Sequence, residues 1–283
     1  MGDVNNNSEK AHGGSGDAGD GQDSVVVENV RVGYGDNVVL DNVSFRIGKG
    51  ESFAILGPSG CGKSTMLKTM IGLLPVQQGR IEVAGIDVTG AYDDAKELHR
   101  RLSRYIGVLF QNTALMGNRT IAENAAMPLE ELTELPAGLI QGTVDLSLDL
   151  VGLGDYGNAF PAELSGGMLR RAGLARAMAF NPNILFCDEP SAGLDPATAR
   201  EIDLVLHELN RDLGVTLVVI THELGSIQNL ADRCLMLDKQ EKGIVASGTL
   251  KEIRRTGDKR VKSFFQRRIS REQREKMRKE SSL

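Results

Sequence analysis

The stretch Gly57-Pro58-Ser59-Gly60-Cys61-Gly62-Lys63-Ser64-Thr65 decides the fold of this chain. Its glycines at 57 and 62, followed directly by lysine and serine, have the spacing of a phosphate-binding loop. Glycine lets the backbone wrap so closely that successive N–H groups point at phosphate oxygens, and a following helix adds its positive N-terminal end. In this pattern Lys63 reaches the β- and γ-phosphates, while the Ser64 hydroxyl is a ligand of Mg²⁺. Residues 57–65 are therefore predicted to bind a nucleotide.

Strands and helices alternate on both sides of this loop. The apolar run Ser52–Leu56 predicts a buried strand before it, and residues 63–73 predict a helix after it. Further strands are predicted at 25–32, 38–47 (around a turn at Asp41-Asn42), 80–84, 105–110, 184–187, 215–220, 233–237 and 243–247. Further helices are predicted at 93–103, 165–180, 196–212 and 223–230, and residues 112–163 are mainly helical with breaks at Pro128, Pro136 and 152–154. Alternation of this kind predicts an α/β fold with a mostly parallel sheet.

Two adjacent carboxylates follow the apolar run Ile184-Leu185-Phe186-Cys187. The carboxyl edge of a parallel sheet is where ligands bind, and burying a carboxylate there is costly unless a cation or hydrogen bonds compensate it. Asp188 is therefore predicted to bind Mg²⁺, and Glu189 to polarise the attacking water.

Composition limits the other possibilities. The 283 residues carry a net charge of −5 and only 4% aromatics, which argues against a nucleic-acid-binding protein. Residues 251–283 hold 13 Lys and Arg against 5 Asp and Glu, so they carry +8 while residues 1–250 carry −13. No stretch is long and apolar enough to predict a transmembrane helix or a secretory signal, and the three cysteines are predicted to be buried thiols.

Leu164-Ser165-Gly166-Gly167-Met168 precedes a helix-forming run and lies about 20 residues before Asp188. Ser165 can cap that helix, and the glycines leave its N-terminal amides bare, so it forms another anion site. In a chain with a phosphate loop, this segment resembles the signature motif of ATP-binding-cassette (ABC) ATPases. Met168 is a departure, since the family usually has glutamine there. It lies beyond the phosphate-binding residues, so little loss of activity is expected.

Four further positions fit the resemblance. Tyr34 resembles the aromatic residue that stacks on adenine, and Gln111 resembles the glutamine that contacts Mg²⁺, water and the membrane subunit. His222 resembles the switch histidine that senses the γ-phosphate. Ser191-Ala192-Gly193-Leu194-Asp195 resembles the loop between two protomers, called the D-loop.

The resemblance covers about residues 24–250 and implies a P-loop NTPase cassette with a RecA-like parallel-sheet core. It also implies an antiparallel β subdomain and a helical signature subdomain at about 112–180. The expected domains are a disordered tail at 1–23, the ATPase domain at 24–257 and a basic extension at 258–283, in which 258–266 contacts the partner ATPase. The cassette is expected to bind ATP and Mg²⁺ and to hydrolyse ATP as a homodimer.

A finer resemblance rests on Gly107–Leu115, Ala126–Leu129, Pro161–Met168 with Arg170-Arg171, and Asp258–Phe265. These segments are similar to the ATPase of Mla/MCE-type phospholipid transport systems. That implies a peripheral subunit on the cytoplasmic face of the inner membrane, with a separate permease, and with an MCE-domain protein and a small STAS-domain subunit as further partners.

Other functions stay open. One is the ATPase of another ABC transporter, for amino-acid import or for export. A P-loop kinase or GTPase, and a non-catalytic ABC scaffold, are the alternatives from other classes. The kinase or GTPase would have no use for the signature or His222, and a scaffold would lack Glu189.

Overall fold

The computed structural model describes residues 23–89 and 95–266, and it places their strands in two sheets. The strands are β1 Asp23–Tyr34, β2 Asn37–Gly48, β3 Ser52–Leu56, β4 Gln78–Val83, β5 Ile86–Asp87, β6 Ile106–Leu109, β7 Ile184–Asp188, β8 Thr216–Ile220, β9 Arg233–Asp238 and β10 Gly243–Gly248. The helices are α1 Lys63–Met70, α2 Ala95–Leu102, α3 Ile121–Leu132, α4 Ala137–Leu150, α5 Gly166–Met178, α6 Pro196–Arg211, α7 Leu224–Leu230 and α8 Leu250–Arg255.

The larger sheet has six strands in the order β10-β9-β3-β8-β7-β6. Its pairs are parallel except β10 with β9, which is antiparallel. β3 and β8 are buried along their whole length, as expected for strands covered on both faces. Leu56, Asp188 and Ile220 end three adjacent strands, so the loops that follow them meet at one edge of the sheet. The predicted α/β fold with a parallel core is confirmed.

The smaller sheet is antiparallel, with strand order β2-β1-β4-β5. The predicted turn at Asp41-Asn42 is wrong, because β2 runs without interruption from Asn37 to Gly48. Asn42 adopts a left-handed conformation (φ 51°) at an irregularity of the pairing with β1, and Asp41 forms an ion pair with Arg31 across the two strands. Asparagine tolerates this conformation, so the same residue suits a bulge as well as a turn.

Helices α3, α4 and α5 pack together in the segment between β6 and β7. The predicted break at Pro128 is wrong, because α3 continues through it. Proline removes one backbone hydrogen bond, but the helix is fixed at its start by a capping box between Thr120 and Glu123. Its apolar face is also buried, and that burial holds the helix beyond the proline. The predicted break at Pro136 agrees with the chain, since Pro136 directly precedes α4.

The C-terminal part of the described chain packs on the cassette itself. The sequence prediction missed α8, although Thr249 and Glu252 form a capping box that is readable as Thr-x-x-Glu. Residues 259–266 are also helical, and Val261, Phe264 and Phe265 are buried in a cluster with Leu56. All three cysteines are buried and free.

Some predictions fall outside the described residues. These are the disordered tail, apart from Asp23, the first residues of the helix predicted at 93–103, and the basic extension from 267 onward. Among the helices that the structure does describe, none has the length and apolar character needed to cross a membrane.

Candidate active site

The phosphate loop connects β3 to α1 and takes a shape that requires its glycines. Gly57 and Gly62 have positive φ angles of 147° and 105°. A Cβ atom on Gly57 would lie 2.5 Å from the Leu237 carbonyl oxygen, and one on Gly62 would lie 2.8 Å from Leu40 Cδ2. Any larger residue at these two positions would therefore strain the backbone and collide with its neighbours. The loop is a tight cradle between β9 and β2.

Lys63 begins α1 and is buried, with 9% of its surface exposed. Its Nζ donates to the carbonyl oxygens of Gly57 at 2.9 Å and Pro58 at 3.3 Å. The N-cap of α1 is Gly62, which provides no side-chain hydrogen bond to the helix amides. The bare amides and the buried ammonium group both favour an anion at this place, as the sequence motif predicted.

Asp188 ends β7 beside the start of α1, and its carboxylate is only partly satisfied. Its Oδ1 is buried and accepts no hydrogen bond from the described residues. Burial raises the pKa of Asp188 and the negative charge of Glu189 raises it further, while Lys63 and a hydrogen bond from Ser64 oppose the shift. A carboxylate oxygen without a partner, with the Ser64 hydroxyl beside it, is a donor set that fits Mg²⁺.

We expect Asp188→Asn to stabilise the nucleotide-free protein while weakening its response to Mg²⁺. Because folding raises the pKa of Asp188, the charged form is disfavoured in the fold and lowers stability at pH 7. A neutral amide removes that cost, so the Tm of the variant should rise. Thermal unfolding without Mg²⁺ should show this rise, and Mg²⁺ with ATP should then stabilise the variant less than the wild type. The control Asp155→Asn changes an exposed side chain, so it should alter neither the Tm without Mg²⁺ nor the stabilisation by Mg²⁺ with ATP. A Tm lower than that of the wild type for Asp188→Asn would contradict the prediction.

Glu189 and His222 lie next to Asp188 and contact each other. Glu189 is 7% exposed, and its Oε1 lies 2.5 Å from His222 Nδ1. Its Oε2 accepts from the Thr221 hydroxyl and the His222 backbone N–H, both at 3.4 Å. Glu189 has a left-handed backbone (φ 51°), a strained conformation that is often found at functional sites. The structure therefore holds one carboxylate in a fixed direction near Asp188.

Gln111 follows β6, and its loop is fastened to α5 rather than to the phosphate loop. Its side chain is exposed, while its backbone oxygen accepts a hydrogen bond from Arg170. Arg176 donates to the carbonyl oxygens of Thr113 and Ala114, each at 2.6 Å. Within the parts of the chain that the structure describes, no hydrogen bond joins the Gln111 side chain to Asp188 or Ser64. Its role as a Mg²⁺ ligand stays a prediction.

The signature motif caps α5 as predicted but lies apart from the phosphate loop. Ser165 is the N-cap, and its Oγ accepts from the Met168 N–H at 3.3 Å. Ser165 and Gly166 are exposed, while Gly167 is buried so closely against α6 that a Cβ atom would lie 2.3 Å from Thr198 Cγ2. Over residues 23–89 and 95–266, no hydrogen bond links the signature to the phosphate loop of the same chain.

The D-loop leads from Glu189 into α6. Ser191 is buried and its Oγ lies 3.0 Å from Ser226 Oγ on α7, so this loop is tied to the helix that follows His222.

Asp195, at the end of the D-loop, is the N-cap of α6, and its Oδ1 accepts from the Ala197 N–H at 3.0 Å. Hydrogen bonds from Thr198 and the backbone lower the pKa of Asp195. This capping role was not predicted for Asp195.

Tyr34 lies at the end of β1, in the hairpin that leads to β2. Half of its surface is exposed, which leaves its ring free to stack on a base. The next strand, β2, carries Leu40 and Val39, which lie against Gly62 of the phosphate loop. The position of Tyr34 is thus compatible with its predicted contact to adenine.

The sequence assigned no structural role to the residues that hold the loops in place. Arg170 and Arg176 project from α5 onto the loop after β6, and Ser226 contacts the D-loop. The spacing of the two arginines by six residues places them within two turns of one helix, which is a weak signal in sequence.

The helix α5 and the strand β6 are in unusually close contact. A Cβ atom on Gly107 of β6 would lie 2.3 Å from the Ala177 carbonyl oxygen of α5. One on Gly173 of α5 would lie 2.9 Å from Leu109 Cδ1 and 3.2 Å from Thr113 Cβ. Both glycines are therefore needed for the helix to reach the strand.

Several known proteins are similar to this chain. The methionine import ATP-binding protein MetN of Rhodospirillum rubrum is 44% identical over 205 residues, which cover 72% of this chain and 57% of the relative. MetN of Carboxydothermus hydrogenoformans is 42% identical, covering 78% and 66%. The intermembrane phospholipid transport ATP-binding protein MlaF of Haemophilus influenzae is 37% identical, covering 86% and 90%. The chain thus spans about three fifths of the length of these MetN relatives.

These similarities do not confirm the phospholipid system as the specific function. The higher identities belong to methionine importers, which favours the amino-acid alternative.

The fold and the family agree with each other. A bacterial ABC transporter cassette solved as a dimer has a TM-score of 0.72 and 31% identity, and the match covers 80% of this chain and 98% of that one. The family model described as ABC transporter matches residues 40–192, from β2 through the phosphate loop and the signature to the D-loop. This chain belongs to the ABC transporter family and is an ATP-binding cassette that uses ATP with Mg²⁺.

Proposed function

We propose that this chain hydrolyses ATP to ADP and phosphate and thereby drives a transporter whose membrane path lies in a separate permease. The observation that carries the proposal is that Asp188 interacts both with Lys63 and Ser64 of the phosphate loop and with Glu189, which in turn contacts His222. A kinase or GTPase would not need the signature motif, and a non-catalytic scaffold would not need a strained, buried Glu189.

The geometry of the chain's own groups supports the following roles for them. Lys63 and the first amides of α1 bind the phosphates and stabilise the negative charge on the γ-phosphate. Glu189, held by Thr221 and His222, orients and polarises the water that attacks phosphorus. His222 lies between two carboxylates, because its Nδ1 is 2.5 Å from Glu189 Oε1 and its Nε2 is 3.1 Å from Glu223 Oε1. We assign to this ring the sensing of the γ-phosphate.

Ser64, Asp188 and Gln111 would hold Mg²⁺. When bound, this ion neutralises negative charge on the β- and γ-phosphate oxygens. The buried, unpartnered Oδ1 of Asp188 supports this assignment for the carboxylate, and the exposed Gln111 side chain is free to turn toward it.

We propose that two copies form the working unit. The exposed Ser165 and Gly166 are then the residues that cover ATP bound to the partner's phosphate loop. The similar cassette that was solved as a dimer supports this arrangement.

We also propose that the chain divides into a cassette at 24–257 and an extension from 258, in which 258–266 contacts the partner. In the single chain Val261, Phe264 and Phe265 are buried against the chain's own cassette.

Two cargo classes have support from different observations. Amino-acid import has the higher sequence identity, at 42–44% to methionine importers. Phospholipid transport has the fuller match of length, since the alignment covers 90% of the phospholipid-transport relative but only 57–66% of those importers. In both cases we propose that the chain works at the cytoplasmic face of the inner membrane; an MCE-domain protein and a STAS-domain subunit belong to the phospholipid case.

A transport assay with the native complex separates these cargoes. The chain would be tagged, purified in detergent with its bound permease, and reconstituted into proteoliposomes. ATP-dependent uptake of labelled methionine would support amino-acid import, and ATP-dependent movement of a fluorescent phospholipid would support lipid transport. The same complex carrying Glu189→Gln should show neither. Transport by that variant at the wild-type rate would contradict the proposed ATPase.

A further inference from the structure

Arg170 on α5 joins the two loops that flank the proposed hydrolysis site. Its Nη1 donates to the backbone oxygen of Gln111 and, at 3.4 Å, to that of Phe110. Its Nη2 donates to the backbone oxygen of Ala192 in the D-loop at 3.3 Å. One side chain thus holds the loop after β6 and the loop after β7 at the same time.

The Arg170 guanidinium is half-buried, and it faces the acidic residues of the site. Burial lowers the pKa of Arg170, while the negative charges of Asp188 and Glu189 raise it again. Burying a cation is costly without partners, so its three carbonyl contacts and two nearby carboxylates account for its position. Arginine suits this place because its planar fork directs several donors in fixed directions, which the single ammonium of lysine cannot do.

Arg176 provides an internal comparison on the same helix. It also donates to two backbone oxygens of the loop after β6, those of Thr113 and Ala114. Both of these residues have left-handed backbones (φ 54°), so the loop is strained where Arg176 holds it. Arg176 has no hydrogen bond to the D-loop in the described part of the chain, and the charges of Asp188 and Glu189 are not among the causes of its lowered pKa, which is burial alone.

We propose that Arg170 is a positioning residue for ATP hydrolysis, which fastens the Gln111 loop to the D-loop so that the two move together with the signature helix. The inference rests on the proposed ATPase function for its catalytic part. Its structural part, the link between the two loops, depends only on the chain's own contacts. Arg170 touches no reacting atom in this assignment and acts through the backbone of Gln111 and Ala192.

The catalytic part is tested by steady-state ATPase kinetics on Arg170→Gln, Arg170→Lys and Arg176→Gln. We expect Arg170→Gln to lower kcat about tenfold or more while KM for ATP changes less than about threefold, because a displaced loop affects chemistry more than binding. Arg170→Lys should recover only part of the loss. An unchanged kcat for Arg170→Gln, or full rescue by lysine, would overturn the positioning role.

The structural part is tested by hydrogen–deuterium exchange on the nucleotide-free protein. In Arg170→Gln, amide exchange should rise both in residues 110–114 and in residues 191–194, whereas in Arg176→Gln it should rise in 110–114 alone. Equal exchange at 191–194 in Arg170→Gln and the wild type would overturn the link. If the link is found but the wild type does not hydrolyse ATP, the proposed function fails and the contact stands as a structural one. Should Arg170→Gln unfold, the lysine variant supplies the same two readouts.

Discussion

Glu189→Gln is expected to abolish ATP turnover while leaving ATP bound. The Glu189 side chain is buried, and both of its oxygens are engaged by Thr221 and His222, so the carboxylate has a single orientation. Glutamine keeps the shape but cannot accept a proton from water. Loss of a positioned base costs about 10²–10⁴ in rate. Phosphate release under saturating ATP measures this loss, and equilibrium binding of a fluorescent ATP analogue measures the retained affinity.

The same variant should accumulate as a dimer with ATP. If closure of two copies around ATP precedes hydrolysis, blocking the chemistry traps the closed form, which size-exclusion chromatography with light scattering detects. Glu208→Gln, an exposed change on α6, should remain active and should not dimerise more than the wild type does. Turnover by Glu189→Gln within a factor of three of the wild type would remove Glu189 from its role.

Lys63→Ala is expected to lose affinity for ATP itself. The Lys63 ammonium is buried and is held by the Gly57 and Pro58 carbonyl oxygens, so it is already placed to meet phosphate. Removing a buried charge partner costs about 2 kcal/mol or more, which corresponds to roughly a thirtyfold weaker Kd. Isothermal titration with ATP and Mg²⁺ gives the Kd directly.

The control for this change is Lys251→Ala, an exposed lysine at the start of α8. It removes the same charge from the chain without touching the phosphate loop, so its Kd should match the wild type within a factor of two. A Kd for Lys63→Ala equal to that of Lys251→Ala would argue against the phosphate-loop assignment. Circular dichroism of both variants checks that the helices are intact.

Most of the parallel core could be predicted because each of its strands is a short, continuous apolar run. Ser52–Leu56 has this pattern and leads directly into the phosphate loop, and Ile184–Asp188 ends at the carboxylate that is predicted to bind Mg²⁺. The same pattern therefore predicts both the strand and the site. The phosphate loop could also be predicted because glycine, lysine and serine are needed at fixed positions of one contiguous segment. In such cases local sequence and tertiary role agree.

The errors arise where tertiary contacts outweigh local preference. Asn42 has a turn-forming side chain, but pairing on β1 keeps its strand continuous. Pro128 should end a helix, but capping and burial of the α3 face keep it going. The contacts of Arg170 join residues 59 and 22 positions away in the chain, and no local pattern indicates where such a side chain points.

The close approach of α5 to β6 has a consequence for engineering. Because Gly107 and Gly173 bring backbone and side chains together with no spare room, this helix and this strand fit each other as a matched pair. A hybrid cassette that takes its helical layer from another transporter should therefore exchange the segment from before Gly107 to beyond Ala177. A junction placed after Gln111 would combine a foreign helix with a native strand. Their poor fit would displace the loop after β6, which both of them support.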